Sequence, residues 1–391
     1  MNEQVIIIGA GPCGLSAAVE LKKRGIDPLI IEKGTLVNAV YNYPTYMIFH
    51  STPERLEIGG VPFVTPNEKP TRLEALTYYR LVAERSGLRI HTYETVTSVE
   101  RMNAEGLNSA GAADHALTGE QAGGLSFANV PHSPQTNFTV HTTDRFGKNH
   151  TYTSAHLIIA TGYFDQPNKL GVSGEDLPKV SAYYKEAHPY AGLKVAIIGS
   201  SNSAVDSALD LMRTGAEVTV ICRSEALSPR VKAWTRPLFE SAAEKGDIRI
   251  MYNSVVREIH EQHIIVETKQ PEDDAAGTLD PTDDVRKDTQ PNEATHVLTE
   301  LPNDFVLALI GYRPDRTLLA SMDAQLDDET GAPVTNPDTM ETNIPNLYVA
   351  GVIVSSRHAN EIFIENGRFH GELIAKEIAA KLEAKPEATP T

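Results

Sequence analysis

Two stretches of this chain share one arrangement: an apolar run, a glycine turn, a helix-forming segment and a second apolar run. The first, residues 5–33, reads VIIIGAGPCGLSAAVELKKRGIDPLIIEK, and the second, residues 194–224, reads KVAIIGSSNSAVDSALDLMRTGAEVTVICRS. Unbroken apolar runs of this length are strands buried on both faces, and Leu15, Ala18 and Leu21 recur between them at helical spacing. Strand, helix and strand in that order make a βαβ unit. Two such units predict an α/β fold with two Rossmann-like dinucleotide-binding domains.

In the first copy each glycine has a separate task. Gly9 permits the tight turn, Gly11 lets the backbone approach a pyrophosphate, and Gly14 allows the helix to pack closely on the strands. Pro12 and Cys13 lie in the same loop, and the helix N-terminus behind them faces negative phosphate. Glu32 ends the second strand, where a carboxylate can accept hydrogen bonds from ribose hydroxyls, with Lys33 beside it. The second copy keeps Gly199, but Ser201 and Ala204 replace the middle and last glycines, and Asn202 and Ser203 supply polar groups at the helix start. Its second strand ends in Arg223, at nearly the same spacing from Gly199 as Glu32 from Gly9. An acid there would repel a ribose 2′-phosphate and an arginine would pair with it, so the second site is built for NADPH, with Arg230 and Lys232 as candidate helpers. Two dinucleotide sites in one chain suggest FAD bound permanently at the first and a diffusible nicotinamide cofactor at the second.

The runs between the copies suggest where the domains meet. Residues 157–162 (LIIATG) are an apolar strand ending in Thr161-Gly162, and residues 305–311 (FVLALIG) are expected to lead the chain back afterwards. Residues 346–351 (NLYVAG) form a further strand ending at Gly351. The FAD-binding domain is thus expected to be discontinuous, residues 1–165 and 304–391, with an NADPH-binding domain, residues 166–303, inserted into it. Two segments interrupt this plan between strand-like flanks. Residues 103–135 are rich in Gly, Ala and Ser, and residues 271–294 carry eight acids against Arg286 and Lys287. Both read as elongated loop tips.

Of 391 residues, 41% are hydrophobic, with no apolar stretch long enough for a bilayer span. Two cysteines, Cys13 and Cys222, are too few for a disulfide framework and fit a reducing compartment, and the first strand leaves no room for a signal segment ahead of it. A cytoplasmic location is expected. The net charge of −17 argues against nucleic acid and anionic membrane as partners and leaves small molecules. No metal site is expected.

The chain resembles the two-dinucleotide-binding flavoproteins that include thioredoxin reductase and, within them, the bacillithiol disulfide reductase family. The resemblance rests on GAGPCG at 9–14, YNYPT at 41–45, IGGVPF at 58–63, SSNSA at 200–204, AGV at 350–352 and ANEIFIENGRFHG at 359–371. It implies a homo-oligomeric enzyme that uses FAD and NADPH to reduce a low-molecular-weight disulfide, bacillithiol disulfide. Two departures from thioredoxin reductase stand out. After Val180-Ser181, where that enzyme carries its redox-active Cys-x-x-Cys, this chain has Tyr183 and Glu186 at the cysteine positions. Val352 stands where the wider class has an aspartate on the flavin's ribityl hydroxyls, a contact that is either lost or supplied elsewhere, with Asn360 and Glu361 as the candidates. The class further implies a helix starting near Glu361 with its N-terminus toward the flavin.

Cys13 is the candidate catalytic residue. At a helix N-terminus the dipole favours a thiolate, which could attack a disulfide. Against it stand the small-residue packing such a loop wants and direct reduction of the substrate by flavin. His50 and His370 are candidate acids or bases. Two other functions compete. A flavin monooxygenase would carry Phe-x-Gly-x-x-x-His before the second glycine turn, and residues 170–184 lack that histidine. A ferredoxin-NADP-type reductase would have to dock an acidic carrier on an acidic surface.

Overall fold

The computed structural model describes residues 1–102, 137–270, 296–356, 359 and 361–384. Both expected loop tips, 103–135 and 271–294, and Asn360 lie outside the described residues. The chain divides into two units, Met1–Gln166 with Tyr312–Thr391, and Pro167–Gly311. The first begins with β1 (Asn2–Ile8), α1 (Pro12–Lys23), β2 (Leu29–Glu32), α2 (Asn38–Asn42), α3 (Pro53–Leu56), α4 (Arg72–Arg85), β3 (Arg89–Thr92), β4 (Glu94–Met102), β5 (Asn137–Asp144) and β6 (Asn149–Ile159). The second holds β7 (Val180–Ser181), β8 (Lys194–Ile198), α5 (Asn202–Arg213), β9 (Glu217–Ile221), α6 (Arg236–Glu244), β10 (Ile248–Met251), β11 (Ser254–Ile259), β12 (His263–Lys269), β13 (His296–Pro302) and β14 (Phe305–Ala308). The chain returns to the first through α7 (Thr317–Ser321), β15 (Leu347–Val349), α8 (Ile364–Gly367) and α9 (His370–Glu383).

In the first unit β3, β2, β1, β6 and β15 run parallel, with Ile7 opposite both Ile30 and Ile158. The continuous apolar character of β1 follows from this central place: Val5, Ile6 and Ile7 are wholly buried, one face toward each side of the sheet. α1 lays Leu15, Ala17, Ala18 and Leu21 into a core shared with Ile374 and Ile378 of α9, and it ends at Gly25, whose φ of +75° suits glycine. Each fully buried Ile or Leu contributes about 1.5–3 kcal/mol, so Leu15→Ala would cost roughly 2–5 kcal/mol. β6 is long enough for two roles: its first half pairs antiparallel with β5, its last residues parallel with β15. The β4, β5 and β6 meander carries Val99, Phe138, Val140 and Tyr152 onto Ile6, Ile8, Leu29 and Ile31, closing the other face.

The second unit repeats the plan. Its parallel sheet has the order β10-β9-β8-β14-β7, with α5 and α6 packed on one face and the antiparallel β11-β12-β13 sheet on the other. β14 corrects the expected boundary. Residues 305–308 pair with Val195–Ile198 and with β7, so they complete this sheet, and the second unit runs to Gly311. An apolar strand ending in glycine serves either sheet equally well; the pairing partner decides. The flanks of both loop tips, β4 with β5 and β12 with β13, are antiparallel pairs. Among the described residues no helix is long and apolar enough to cross a membrane.

Candidate active site

The three glycines of the first loop differ in what surrounds them. A β-carbon on Gly9, at φ +108°, would meet Ala160 O at 2.4 Å, and one on Gly14 would meet Gly9 O at 2.1 Å. Both are needed for packing. One on Gly11 would meet nothing within 4 Å. This open approach, ahead of the N-terminus of α1, fits a pyrophosphate, which needs bare backbone and unpaired N–H groups. Pro12 occupies the first turn of α1, where its missing N–H costs nothing.

Glu32 ties this loop to the end of β2. Its carboxylate accepts from Ala10 N–H at 2.8 Å and from Gly34 N–H at 2.8 Å, and burial raises its pKa above the ordinary value although both bonds oppose the shift. Each oxygen keeps a further lone pair for a hydroxyl donor. Lys33 is paired with Asp165 at 3.0 Å. Thr161 and Gly162 follow β6 beside Gly9, with Thr161 exposed and Gly162 at φ +73°.

Gly351 enters the same cluster from the end of β15. A β-carbon there would lie 2.9 Å from Cys13 Sγ, and one on Gly367 of α8 would lie 3.0 Å from it. The expected lowering of the Cys13 thiol pKa is not what this packing produces. Although the residue keeps some exposure, its sulfur is wedged between two glycines, and burial, followed by the Glu365 carboxylate, pushes the thiol up to about 12. Val352 offers no polar side chain, and its carbonyl accepts from Ser355 N–H and Oγ. Glu361 does not head a helix: α8 starts at Ile364, and the Glu361 carboxylate accepts from Ser356 Oγ at 2.9 Å and Ser356 N–H at 3.2 Å.

Sequence reasoning missed two features here. Tyr43, Phe49, Phe164 and Tyr312 gather in one cluster, with ring centroids 6.2 Å (Tyr43 to Phe49), 5.1 Å (Tyr43 to Phe164) and 4.7 Å (Phe164 to Tyr312) apart. Burial holds the Tyr43 phenol above the ordinary tyrosine range, with Tyr163, Tyr312, Glu365 and Cys13 adding to the shift. These rings come from distant segments, and no local period announces them. The other is His370, an acid-base candidate in sequence, whose Nδ1 instead accepts from Gly351 N–H at 3.1 Å. His50 is exposed.

In the second unit a β-carbon on Gly199, at φ +141°, would meet Leu309 O at 2.5 Å, so the tight turn is built as at Gly9. Ala204 is fully buried where the last glycine stood. Arg223, just past β9, is exposed and has no ion pair among the described residues; Ser203 is exposed on the first turn of α5. Asn202 is engaged: it donates to Arg230 O at 3.0 Å and accepts from Lys232 N–H at 3.0 Å. Lys232 is no free cation either, since its ammonium lies 2.6 Å from Asp206. Cys222 is buried at the end of β9, its sulfur 3.7 Å from Gly199 O. Among the described residues no group of three or more His, Cys, Asp or Glu could hold a metal ion.

Two sheets, each with parallel strands opening on a glycine turn and a helix, fit the two-dinucleotide class, and residues 183 and 186 carry no cysteine pair. Comparison with known proteins narrows this. Residues 6–108, 128–282 and 281–351 match the family described as pyridine nucleotide-disulphide oxidoreductase. The chain is 42% identical over 381 residues, 97% of its length and 99% of the relative's, to bacilliredoxin reductase Bdr of Bacillus subtilis. Among solved structures it is similar to bacillithiol disulfide reductase Bdr from Bacillus cereus (41% identity, TM-score 0.79, 97% of this chain and 100% of that one). The corresponding Staphylococcus aureus structure gives 39% identity and a TM-score of 0.78, over 97% and 99% of the two chains. The chain belongs to the pyridine nucleotide-disulphide oxidoreductase family, among the Bdr reductases, and is a flavin-dependent disulfide reductase.

Proposed function

We propose that the chain binds FAD at Gly9–Gly14 and Glu32, takes electrons from NADPH at Gly199–Ser203 and Arg223, and reduces bacillithiol disulfide. The observation that carries this reading is the contrast within the first loop: Gly9 and Gly14 are closed by packing, while Gly11 stands open before a helix N-terminus. Glu32 would hold the ribose, and Arg223, exposed at the end of β9, would pair with a 2′-phosphate. Bound FAD supplies the two-electron relay between nicotinamide and disulfide. Consumption of one NADPH and one proton then balances the conversion of one disulfide into two thiols.

Cys13 is read as a packing residue, because its sulfur fills the space between Gly351 and Gly367 and its thiol resists ionisation. Cys13 would then carry no electrons, and FAD held by this loop would supply them to the disulfide with no protein thiol between. One observation favours the alternative thiol route: Cys13 is the only cysteine of the first unit. The names of the two solved relatives support bacillithiol disulfide as acceptor, while that of the Bacillus subtilis relative points to bacilliredoxin. A cytoplasmic setting fits both. Steady-state NADPH consumption measured separately with bacillithiol disulfide, bacilliredoxin and dioxygen tests the proposal. Turnover above the dioxygen background with bacillithiol disulfide alone supports it, and turnover only with bacilliredoxin or only with dioxygen overturns it.

A further inference from the structure

Val352 gives the turn after β15 an apolar side chain, where the resemblance to thioredoxin reductase implies a carboxylate. Its anchoring comes from behind. Ala350 N–H donates to Ile159 O at 2.9 Å, joining the strand end to β6, and Ser355 N–H closes back on Val352 O at 3.0 Å. Between these ties lies Gly351, at φ +80°, whose N–H donates to His370 Nδ1 at the first residue of α9. An imidazole that accepts at Nδ1 is neutral and carries its proton on Nε2. Burial lowers the pKa of His370, which keeps this acceptor available at neutral pH.

The imidazole can reach Gly351 because α8 and α9 sit unusually close to α1. A β-carbon on Gly371 would meet Ala17 N at 2.6 Å, and one on Gly367 would meet Cys13 Sγ at 3.0 Å and Gly351 Cα at 3.1 Å. Ser16 Oγ also donates to Arg368 O at 2.6 Å. Two residues without side chains thus bring His370 and the Gly351 turn into register.

We propose that His370 is a positioning residue for the flavin: by holding Gly351 N–H it fixes the Ala350–Gly351 peptide and so the turn that packs on the Cys13 loop. This rests on the reading that FAD binds at Gly9–Gly14, the loop that packs against this turn through Cys13. His370→Leu keeps the bulk and leaves Gly351 N–H without an acceptor, whereas His370→Asn retains an acceptor oxygen near the place of Nδ1.

The test is reconstitution of flavin-stripped protein with FAD, followed by flavin fluorescence and the visible absorption bands. His370→Leu is expected to weaken FAD binding about tenfold or more and to alter the bands, and His370→Asn to stay within about threefold of wild type. Leucine and wild-type proteins with equal affinity and identical bands would overturn the proposal while leaving the FAD reading intact. A wild-type protein that takes up no FAD would overturn that reading and this one with it. Should His370→Leu fail to fold, the nitrogen NMR signals of His370 in the wild-type holoprotein decide: a bare Nδ1 with a protonated Nε2 is expected, and a protonated Nδ1 overturns the proposal.

Discussion

The sulfur of Cys13 lies 2.9 Å from the place a β-carbon would take on Gly351, so the glycine loop after β1 and the turn after β15 are packed to contact. Gly351→Ala should cost about 2–3 kcal/mol, combining a left-handed φ of +80° with this overlap. Cys13→Ala in the same protein should recover part of that loss, because the sulfur is gone while the φ strain and the 2.9 Å approach to the residue-13 β-carbon remain. Urea denaturation of the four proteins of the cycle measures the coupling, expected at about 0.5 kcal/mol or more. Strict additivity would mean that the sulfur adds nothing to the overlap.

Gly11→Val separates cofactor binding from folding. Its added carbons meet no protein atom at the first position, so thermal stability of the flavin-free protein should stay near wild type, within about 1 kcal/mol. The purified variant should be colourless. Gly9→Val, which drives a β-carbon to 2.4 Å from Ala160 O, should instead lose the fold. A yellow Gly11→Val protein would place the dinucleotide elsewhere.

Arg223→Ala should raise the Michaelis constant for NADPH by about 2 kcal/mol, roughly 30-fold, and leave NADH nearly unchanged. Lys232→Ala should not discriminate between the coenzymes, since its ammonium is spent on Asp206. Equal losses with both coenzymes in Arg223→Ala would remove the 2′-phosphate from this residue.

His370 carries a pH dependence of stability with a definite sign. Its pKa is lowered in the folded chain, so below the ordinary value of 6.5 the unfolded chain takes up a proton that the native one does not. Its stabilisation is complete above that value and is lost as pH falls toward the folded pKa. Comparing urea midpoints of wild type and His370→Asn between pH 8 and pH 5 should show a shallower decline in the variant. Parallel curves would mean that His370 titrates as it does in the unfolded chain.

What could be read from the sequence, and what could not, follows the range of the interactions. The βαβ units were legible because strand burial, helical spacing and the glycine turn are local, and the tasks assigned to Gly9 and Gly14 are those the packing requires. The place of residues 305–308 was not, because an apolar strand carries no sign of which sheet it joins. Cys13 misled for a related reason: a helix N-terminus is a local signal that favours a thiolate, but Gly351 and Gly367, more than 300 residues away, bury the sulfur and reverse the shift. Lys232 looked like a phosphate ligand until the fold brought Asp206 against it, and Asn202 is tied to the 230–232 backbone.

In the proposed function, electrons from NADPH would leave the flavin for a small disulfide without a protein thiol between. This is tested most directly with flavin-replete Cys13→Ser protein, reduced anaerobically by one equivalent of NADPH and mixed with bacillithiol disulfide in a stopped-flow instrument. The yellow absorbance should return at a rate within about threefold of wild type, with two thiols released per flavin, since serine preserves the packing and removes only the nucleophile. A flavin that NADPH still reduces but the disulfide no longer reoxidises would contradict this route and assign the chemistry to Cys13.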